Sequence, residues 1–329
     1  MFLIRNAQPK DLGAVLGLAR HLNSYNLPAD RTILKKLLSQ AGSSLFLFVA
    51  EDVRKKKIAG CSLIIARHGT PAMPHLSFQV GFERKRSLFL SREIDHATLK
   101  LRVDTTGFTE IGGLVVLPEY RGLPAKIGKQ LSYARFAFMA RHPEKFQPRV
   151  LVEYLPVLDP DKGNRLWELV GQRFTGLSYR QADRLSAVNK EFIISLFPKE
   201  KIYCSFLPDP VVRSLGMPGP GAKISLRMLE KIGFRFLNQI DPFDGGPHYG
   251  ARFSNISVIR KTAALKYDKA CVAGKNAGCA IVMAETREGV RAVATIYEKH
   301  DKAIRLPRES AQVLRLHGGE RLSATPFGL

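Results

Sequence analysis

The sequence is poor in cysteine, in tryptophan and in acidic residues. Its 329 residues include 4 Cys and 1 Trp, and 29 Asp+Glu stand against 51 Lys+Arg. The four cysteines are widely spaced, with no CxxC pair and no His at a zinc-finger interval, at Cys61, Cys204, Cys271 and Cys279. These absences exclude a small disulfide-stabilised fold and a cysteine zinc site. They favour a reducing compartment, so we expect a cytoplasmic protein, and no metal site is predicted.

Long hydrophobic runs and the common nucleotide-binding motifs are also missing. No stretch reaches the roughly 18 to 20 apolar residues that a membrane span needs. Charges interrupt the opening MFLIRNAQPKD before a signal-peptide core forms. Neither the Walker A pattern GxxxxGK[ST] nor the dinucleotide pattern GxGxxG occurs. The sequence therefore predicts no membrane partner and no standard mononucleotide or dinucleotide loop.

Apolar surface and positive charge are abundant. Hydrophobic residues make up 45% of the chain, enough for a sizeable core, and the formal net charge is +22. The charge is spread along the chain, so a solvated background and a site for an anionic partner both explain it. No zinc finger, RNP motif or basic heptad helix singles out nucleic acid, which is the less favoured partner but stays open. A long anionic cofactor fits the excess equally well.

The pattern of apolar residues predicts mixed strands and helices. A strand at the N-terminus precedes two amphipathic helices, which begin after Asp11 and Asp30. Two apolar runs, residues 45–50 and 58–65, flank a charged tip and are typical of an antiparallel hairpin. This order indicates an α/β (α+β) fold.

The later part of the chain divides into a main region and a β-rich end. Residues 67–100 have poor periodicity, and we interpret them as loops with uncertain strands. From about residue 256 the pattern changes to short β-like runs. We therefore predict a main region over residues 1–255 and a small C-terminal β-rich subdomain over residues 256–329.

One strand, turn and helix are suited to binding phosphate. Residues 111–117 (IGGLVVL) are typical of a buried central strand, and residues 118–124 (PEYRGLP) of a turn that leads into a helix over residues 125–141. A helix start offers unpaired backbone amides and the positive end of the helix dipole, and Lys126 lies there. The arrangement predicts a diphosphate site, although such a unit alone is a weak signal.

Several runs of residues resemble a known family. The opening elements, and the strand that ends in Leu117-Pro118-Glu119-Tyr120-Arg121-Gly122 before a helix, resemble the GNAT acyltransferase superfamily. The runs DTTGFTEIGGLVVLPEYRG, ARFAFMAR, NKEFIISLFPKEKIY, LEKIGFRF and IDPFDGGP occur in the order and rough spacing of bacterial arginine N-succinyltransferases. The resemblance covers most of the chain and implies a GNAT-like acyl-CoA N-acyltransferase fold.

The resemblance implies an activity and a set of contacts. The activity is transfer of succinyl from succinyl-CoA to the amine of L-arginine in arginine catabolism, with acyl-CoA as cosubstrate, no permanently bound cofactor and a homo-oligomeric assembly. In this fold a strand pairs with the pantetheine arm, and the following turn holds the pyrophosphate. Carried onto this sequence, the pantetheine contacts are Leu114, Val115 and Val116, and the pyrophosphate contacts are Arg121, Gly122, Ala125, Lys126 and Gly128.

The sequence departs from the family where the acceptor is expected to bind. The histidine that the family uses as proton donor falls at Gly219, and a family arginine is replaced by Leu155. Candidate replacements for the base are Glu110, at the start of the central strand, and Glu153, on the next strand. Each can take a proton through water, and each can instead be a structural carboxylate.

Three further polar residues lie in the IDPFDGGPH segment. His248 could supply an imidazole, but a lone loop histidine is more often exposed. Asp241 and Asp244 could hold a cationic substrate, but we favour turn hydrogen bonds for both.

Two alternatives to the arginine reading stay open. One is a related GNAT enzyme with a different amine acceptor or acyl-CoA. The other is a non-catalytic GNAT-fold binding protein that associates with nucleic acid through its charge. Release of CoA with arginine as the best acceptor would count against both, whereas salt-dependent binding to RNA or DNA without turnover would favour the second.

Overall fold

The structure is a computed structural model of the chain. It describes residues 1–22, 27–40, 42, 44–157, 166–271 and 277–328.

Helices occur throughout the described residues. The α-helices are Leu12–Ala19 (α1), Arg31–Gln40 (α2), Ile127–Arg141 (α3), Gln172–Thr175 (α4), Tyr179–Ser186 (α5), Glu191–Leu196 (α6), Asp209–Ser214 (α7), Lys223–Lys231 (α8), Ser257–Arg260 (α9) and Arg308–Leu314 (α10). A π-helical segment, Trp167–Gly171, leads directly into α4. Among these residues, no helix has the length and hydrophobicity needed to cross a bilayer.

Strands alternate with these helices. They are Phe2–Asn6 (β1), Leu45–Asp52 (β2), Lys57–His68 (β3), His75–Ser87 (β4), Arg92–Asp104 (β5), Phe108–Val116 (β6), Arg149–Glu153 (β7), Ile202–Tyr203 (β8), Arg235–Ile240 (β9), Pro247–Arg252 (β10), Ala263–Cys271 (β11), Gly278–Thr286 (β12), Gly289–His300 (β13), Ala303–Pro307 (β14) and Arg321–Pro326 (β15). The predicted mixture of helices and strands is confirmed.

The predicted opening of the chain is also confirmed. α1 follows Asp11, and α2 follows Asp30, whose Oδ1 accepts a hydrogen bond of 2.9 Å from the amide of Ile33. β2 and β3 pair in antiparallel register over the two apolar runs. Asp30 caps α2 through its side chain, whereas Asp11 makes no side-chain bond to the start of α1. β2 and β3 are almost continuously buried, as their apolar runs predict.

The prediction of loops over residues 67–100 is wrong. β4 and β5 pair without interruption from His75↔Asp104 to Ser87↔Arg92 and form a long hairpin. The outer half of this hairpin has no buried face, since Phe82 is 75% exposed and Arg84 binds Asp95 across the strands at 2.7 Å. Without a face turned to the core, the apolar alternation that indicates a strand is absent.

The described residues form two compact units, each assembled from separate segments. Unit 1 comprises Met1–Ala66, Thr109–Pro148 and Arg252–Leu329, and unit 2 comprises Arg67–Phe108 and Arg149–Ala251. The functional division at residue 255 stays a prediction. The last segment of unit 1 begins at Arg252, three residues before that boundary.

Unit 1 is built on a mixed sheet. Its strands follow the order β12-β15-β11-β14-β13-β1-β2-β3-β6, and β12 also pairs with β13, so the five C-terminal strands close into a ring. β13 pairs with β1 at Ile4↔Ala292 and joins this ring to the N-terminal strands. α3 covers the sheet, with the ring of Phe138 packed 4.8 Å from Phe46 and 5.4 Å from Phe48.

Unit 2 has a smaller sheet and a set of short helices. Its strands follow the order β7-β10-β9-β4-β5-β8. Trp167 is fully buried, stacks on Phe243 with ring centroids 4.5 Å apart, and packs near Phe197. This aromatic core also includes Leu76 and Phe78 of β4 and Ile240 of β9.

Candidate functional site

β6 in unit 1 leads into the turn that the sequence associates with a coenzyme. Gly113 interrupts the strand with a φ of +56°, and a Cβ there would lie 2.8 Å from Cδ2 of Leu63, so glycine is required. Beyond it the side chains alternate: Val115 is buried in the core, whereas Leu114 and Val116 are half-buried. The side chain of Val115 is therefore not available to a ligand, and β6 pairs with β3 in the sheet.

The turn after β6 is fixed by backbone bonds and by Arg121. The amide of Arg121 donates to the carbonyl of Pro118 at 3.1 Å, and its Nε donates to the carbonyl of Val116 at 2.8 Å. Gly122 follows with a φ of +72°. These contacts anchor an exposed guanidinium at the end of β6.

α3 begins at Ile127, two residues later than predicted. Lys126 lies just before it in the left-handed region, with a φ of +50° and a ψ of +53°, and its amide donates to the carbonyl of Leu123 at 2.9 Å. The carbonyl of Ala125 accepts a bond of 2.6 Å from Nε2 of Gln130. Pro124 therefore belongs to a turn rather than to the first helical position.

The helix start has the groups that an anion needs. In the part of the chain that the structure describes, no acceptor pairs with the amides of Ile127 and Gly128. Gly128 lies beside Val116, with 3.7 Å from a Cβ at this position to Cγ2 of Val116. The five residues predicted for pyrophosphate, Arg121, Gly122, Ala125, Lys126 and Gly128, thus lie in one short turn next to free amides, which is a suitable cradle for a diphosphate.

Lys129 ties the same helix to the last described residues. Its Nζ donates to the carbonyl of Gly328 and lies 4.6 Å from the ring centroid of Phe327. The last described residues therefore contact the first turn of α3 through Lys129.

The two predicted bases lie in different units. Glu110 is on β6 in unit 1 and is 1% exposed. Glu153 ends β7 in unit 2 and is half-buried. Glu110 is the third residue of β6 rather than its first, because the strand begins at Phe108.

Glu153 lies among imidazoles. Nδ1 of His75 is 3.4 Å and Nε2 of His248 is 3.9 Å from Oε1 of Glu153. The ring centroid of His75 lies 5.1 Å from that of His68 and 5.2 Å from that of His248. His248 is fully buried on β10, so the expectation of an exposed loop histidine is wrong.

Asp241 and Asp244 make the predicted turn bonds. Oδ1 of Asp241 accepts the amides of Phe243 and Asp244 at 2.7 and 3.1 Å, and Oδ1 of Asp244 accepts the amide of Gly246 at 2.7 Å. Burial raises the pKa of Asp241, and the charge of Glu153 raises it further. Burial, followed by the charge of Asp241, raises the pKa of Asp244 well above its ordinary value. The turn is therefore also part of an acidic cluster.

Burial shifts His75 towards its neutral form as well. It is 3% exposed, and burial, followed by the positive charge that His248 and His68 can carry, lowers its pKa well below the ordinary value. His75 is thus a neutral imidazole at physiological pH.

Two groups in unit 2 have the spacing of metal ligands. They are His68, His75 and Glu153, and Glu153, Asp241 and His248, with the ligand atoms of each group within 4.8 Å of one another. The residues come from different strands and are far apart in sequence, so no local motif could have shown them. His68 and His75 were missed entirely.

Gly219 occupies a closed position in unit 2. Its amide donates to the carbonyl of Leu155 at 2.9 Å, and a Cβ there would lie 2.8 Å from the carbonyl oxygen of Pro156. The local backbone leaves no room for a side chain, and an imidazole would require it to move.

Comparison with known proteins gives one consistent family. The family described as the arginine N-succinyltransferase beta subunit matches residues 2–258. An arginine N-succinyltransferase of Citrobacter koseri is 29% identical over 335 residues, covering 98% of this chain and 96% of the relative. The arginine N-succinyltransferase subunit alpha of Pseudomonas aeruginosa is 34% identical over 279 residues, covering 80% and 81%.

A solved structure shows the same fold over the full length. The arginine/ornithine succinyltransferase subunit AI of Pseudomonas aeruginosa superposes with a TM-score of 0.82 at 28% identity, covering 100% of this chain and 99% of that one. The fold expected from the resemblance is therefore confirmed. This chain belongs to the arginine N-succinyltransferase family.

Proposed function

We propose that this protein is an acyl-CoA-dependent N-acyltransferase that moves the succinyl group of succinyl-CoA to the amine of L-arginine. The observation that carries the proposal is the family match over residues 2–258. This range includes the turn over residues 121–128, called the coenzyme turn below. It also includes the acidic cluster, which consists of Glu153, Asp241 and Asp244. In the reaction the amine nitrogen attacks the thioester carbonyl, an amide bond forms, the C–S bond breaks and CoA leaves as the thiol. The amine proton passes to a base.

The coenzyme turn supports the donor half of this reaction. The exposed side chains of Arg121 and Lys126 flank the open amides of Ile127 and Gly128. Charge-assisted hydrogen bonds of this kind are the usual way to hold a pyrophosphate. The net charge of +22 also attracts an acyl-CoA carrying phosphates and a carboxylate, while it gives no help to a cationic acceptor.

The acidic cluster of unit 2 supports a cationic acceptor. Glu153, Asp241 and Asp244 place three carboxyl groups close enough to raise the pKa values of the two aspartates. A guanidinium or ammonium group would offset that repulsion. Ornithine is a second candidate acceptor, because the matching Pseudomonas structure is named an arginine/ornithine succinyltransferase.

The proton acceptor is one of two carboxylates. Gly219 cannot supply an imidazole, so Glu110 and Glu153 are the proposed bases. Attack on a thioester needs a neutral amine and a polarised carbonyl more than a particular base, so transfer is compatible with the loss of the histidine.

The coenzyme turn is tested with a double variant. Arg121→Ala/Lys126→Ala should weaken succinyl-CoA binding about 10²- to 10⁴-fold by calorimetry, because two charge-assisted bonds of about 1.5–3 kcal/mol each are lost. The matched control is Arg31→Ala/Lys35→Ala on exposed positions of α2, which removes the same charge elsewhere in unit 1. Unchanged affinity in the first variant, or equal loss in both, would contradict the proposed turn.

The acceptor and the base are tested in one thiol-release assay. We expect CoA release from succinyl-CoA with arginine as the best of arginine, ornithine, lysine and polyamines. Glu110→Gln or Glu153→Gln should lower kcat about 10²- to 10⁴-fold and so identify the base. A better acceptor outside the cationic amino acids, or no turnover together with salt-dependent RNA binding, would refute the arginine assignment.

A further inference from the structure

We propose that unit 2 binds one divalent transition-metal ion through His68, His75 and Glu153. This inference goes beyond the proposed acyl transfer and concerns a group of residues that no local sequence motif brings together. A Glu153 that binds a metal ion is not a free base, so the inference leaves the role of proton acceptor to Glu110. His68 ends β3, His75 begins β4 and Glu153 ends β7, so three rigid strand ends carry the ligands.

The distances fit a metal better than a hydrogen bond. Nδ1 of His75 lies 3.4 Å from Oε1 of Glu153, whereas an N–H···O bond spans about 2.7–3.2 Å. Two ligands of a tetrahedral ion, each about 2.0–2.1 Å from it, lie about 3.3–3.5 Å apart. His68 completes a group whose ligand atoms are all within 4.8 Å of one another.

The ring of His75 is prepared for a ligand role. Its Nε2 is buried and has no hydrogen-bond partner within the residues that the structure covers. An imidazole nitrogen that no protein group occupies is available to donate its lone pair to a metal. Either ring nitrogen of His75 can therefore bind the metal: Nδ1 faces Glu153, and Nε2 has no hydrogen-bond partner among the described residues.

The charge around the group favours a cation. A carboxylate oxygen of Asp241 lies within 4.8 Å of one of Glu153, and Asp244 donates its amide to Oδ1 of Asp241 at 3.1 Å. The two cations that lie within electrostatic range of His75 are already engaged: Arg149 binds Asp104 at 3.1 Å, and Lys190 binds the carbonyl of Pro74 at 3.0 Å. An added ion would offset negative charge that these residues leave in place.

The ligand set indicates the class of ion. Two imidazole nitrogens and one carboxylate oxygen suit zinc, cobalt or nickel rather than calcium or magnesium, which prefer oxygen ligands. Three protein ligands leave a fourth position open. Nε2 of His248 lies 3.9 Å from the same Oε1 of Glu153 and would help to orient this carboxylate.

The test is metal binding by the full chain. Zn²⁺ titration by calorimetry and the visible absorption of bound Co²⁺ should show one site in the wild type, with binding lost or weakened at least tenfold in His68→Ala and Glu153→Gln. His75→Ala should also lose or weaken metal binding. His75 is buried, so this variant could fail to fold; His68 is partly exposed, and His68→Ala tests the site independently. His96→Ala, which removes a half-buried histidine of unit 2, is the control and should bind as the wild type does.

Three results would overturn the proposal. One is no Co²⁺ or Zn²⁺ binding by the wild type. Another is full binding by His68→Ala. The third is loss of binding in His248→Ala or Asp241→Asn with His68→Ala unaffected, which would assign the ion to the second group. Arg121→Ala/Lys126→Ala should keep normal Co²⁺ binding, so failure of the metal site and failure of the coenzyme turn are separately visible.

Discussion

Gly219 is held against the backbone of a neighbouring segment and not against side chains. Its amide binds the carbonyl of Leu155, and the carbonyl oxygen of Pro156 lies 2.8 Å from the place of a Cβ. Pro156 and Pro218 form an isolated β-bridge beside it. Because a backbone oxygen cannot swing away as a side chain can, any larger residue must displace the bridge.

Gly219→Ala is therefore expected to lower the free energy of unfolding by about 1–3 kcal/mol, and Gly219→His by more, without raising transferase activity. Chemical denaturation and the thiol-release assay measure the two effects. Gly221→Ala is the matched control two residues away, where a Cβ would meet nothing within 4 Å, and it should be close to neutral. A stable Gly219→His variant with increased kcat would show that the position still accepts a catalytic imidazole.

Single residues also show where sequence reasoning ended. Glu153, Asp241 and Asp244 could be selected as candidates because a carboxyl group is recognisable wherever it occurs. His68 and His75 could not, since they acquire a role only when β3 and β4 bring them near β7. Burial of His248 was equally hidden, because the Gly-Gly-Pro before it is typical of an exposed turn.

The N-terminal strand and the helix after it are joined by a buried ion pair. Arg5 of β1 makes two bonds to Asp11, of 2.7 and 3.0 Å, and one of 2.7 Å to Glu51 of β2. Burial alone would raise the pKa of Asp11, but the bonds from Arg5 and from the amide of Gln8 lower it below the ordinary value of 3.8. The folded state therefore holds Asp11 ionised more strongly than the unfolded chain does.

This contact should make stability sensitive to acid. A carboxyl whose pKa is depressed by folding stabilises the protein fully above its unfolded value of 3.8, and the contribution is lost as pH falls below that value. Asp11→Asn should cost about 3–5 kcal/mol at neutral pH, because it leaves a buried guanidinium short of a partner, and should flatten the acid limb of the stability curve. Denaturation midpoints from pH 7 to pH 2 measure both effects. If the stability of Asp11→Asn falls with acid as steeply as that of the wild type, groups other than Asp11 cause the acid sensitivity.

Elements were predictable where one face is buried. β2, β3, α1 and α2 have a clear apolar side and were identified. The outer part of the β4–β5 hairpin has two exposed faces, and the start of α3 depends on a left-handed lysine, a conformation that lysine seldom adopts. Neither leaves a periodic signal, so the first was missed and the second was placed two residues early.

At the scale of the whole molecule, the family and fold were accessible from sequence because five separated runs keep their order along the chain. The segments that form each unit were not accessible from sequence, because the chain leaves unit 1 twice and returns to it twice. Such returns depend on strand pairing between distant segments, which composition does not report. The homo-oligomeric assembly and the identity of the acyl donor stay predictions, and light scattering of the purified chain measures the first.

The pairing of β1 with β13 also sets the order of events during synthesis. Ile4 and Ala292 are register partners, so one edge of β1 cannot be covered until the ribosome has made nearly the whole chain. At about 5–20 residues per second, this edge waits on the order of 15 to 60 seconds. An open strand edge is a template for wrong pairing, so we expect low-temperature expression to increase the soluble yield of this chain.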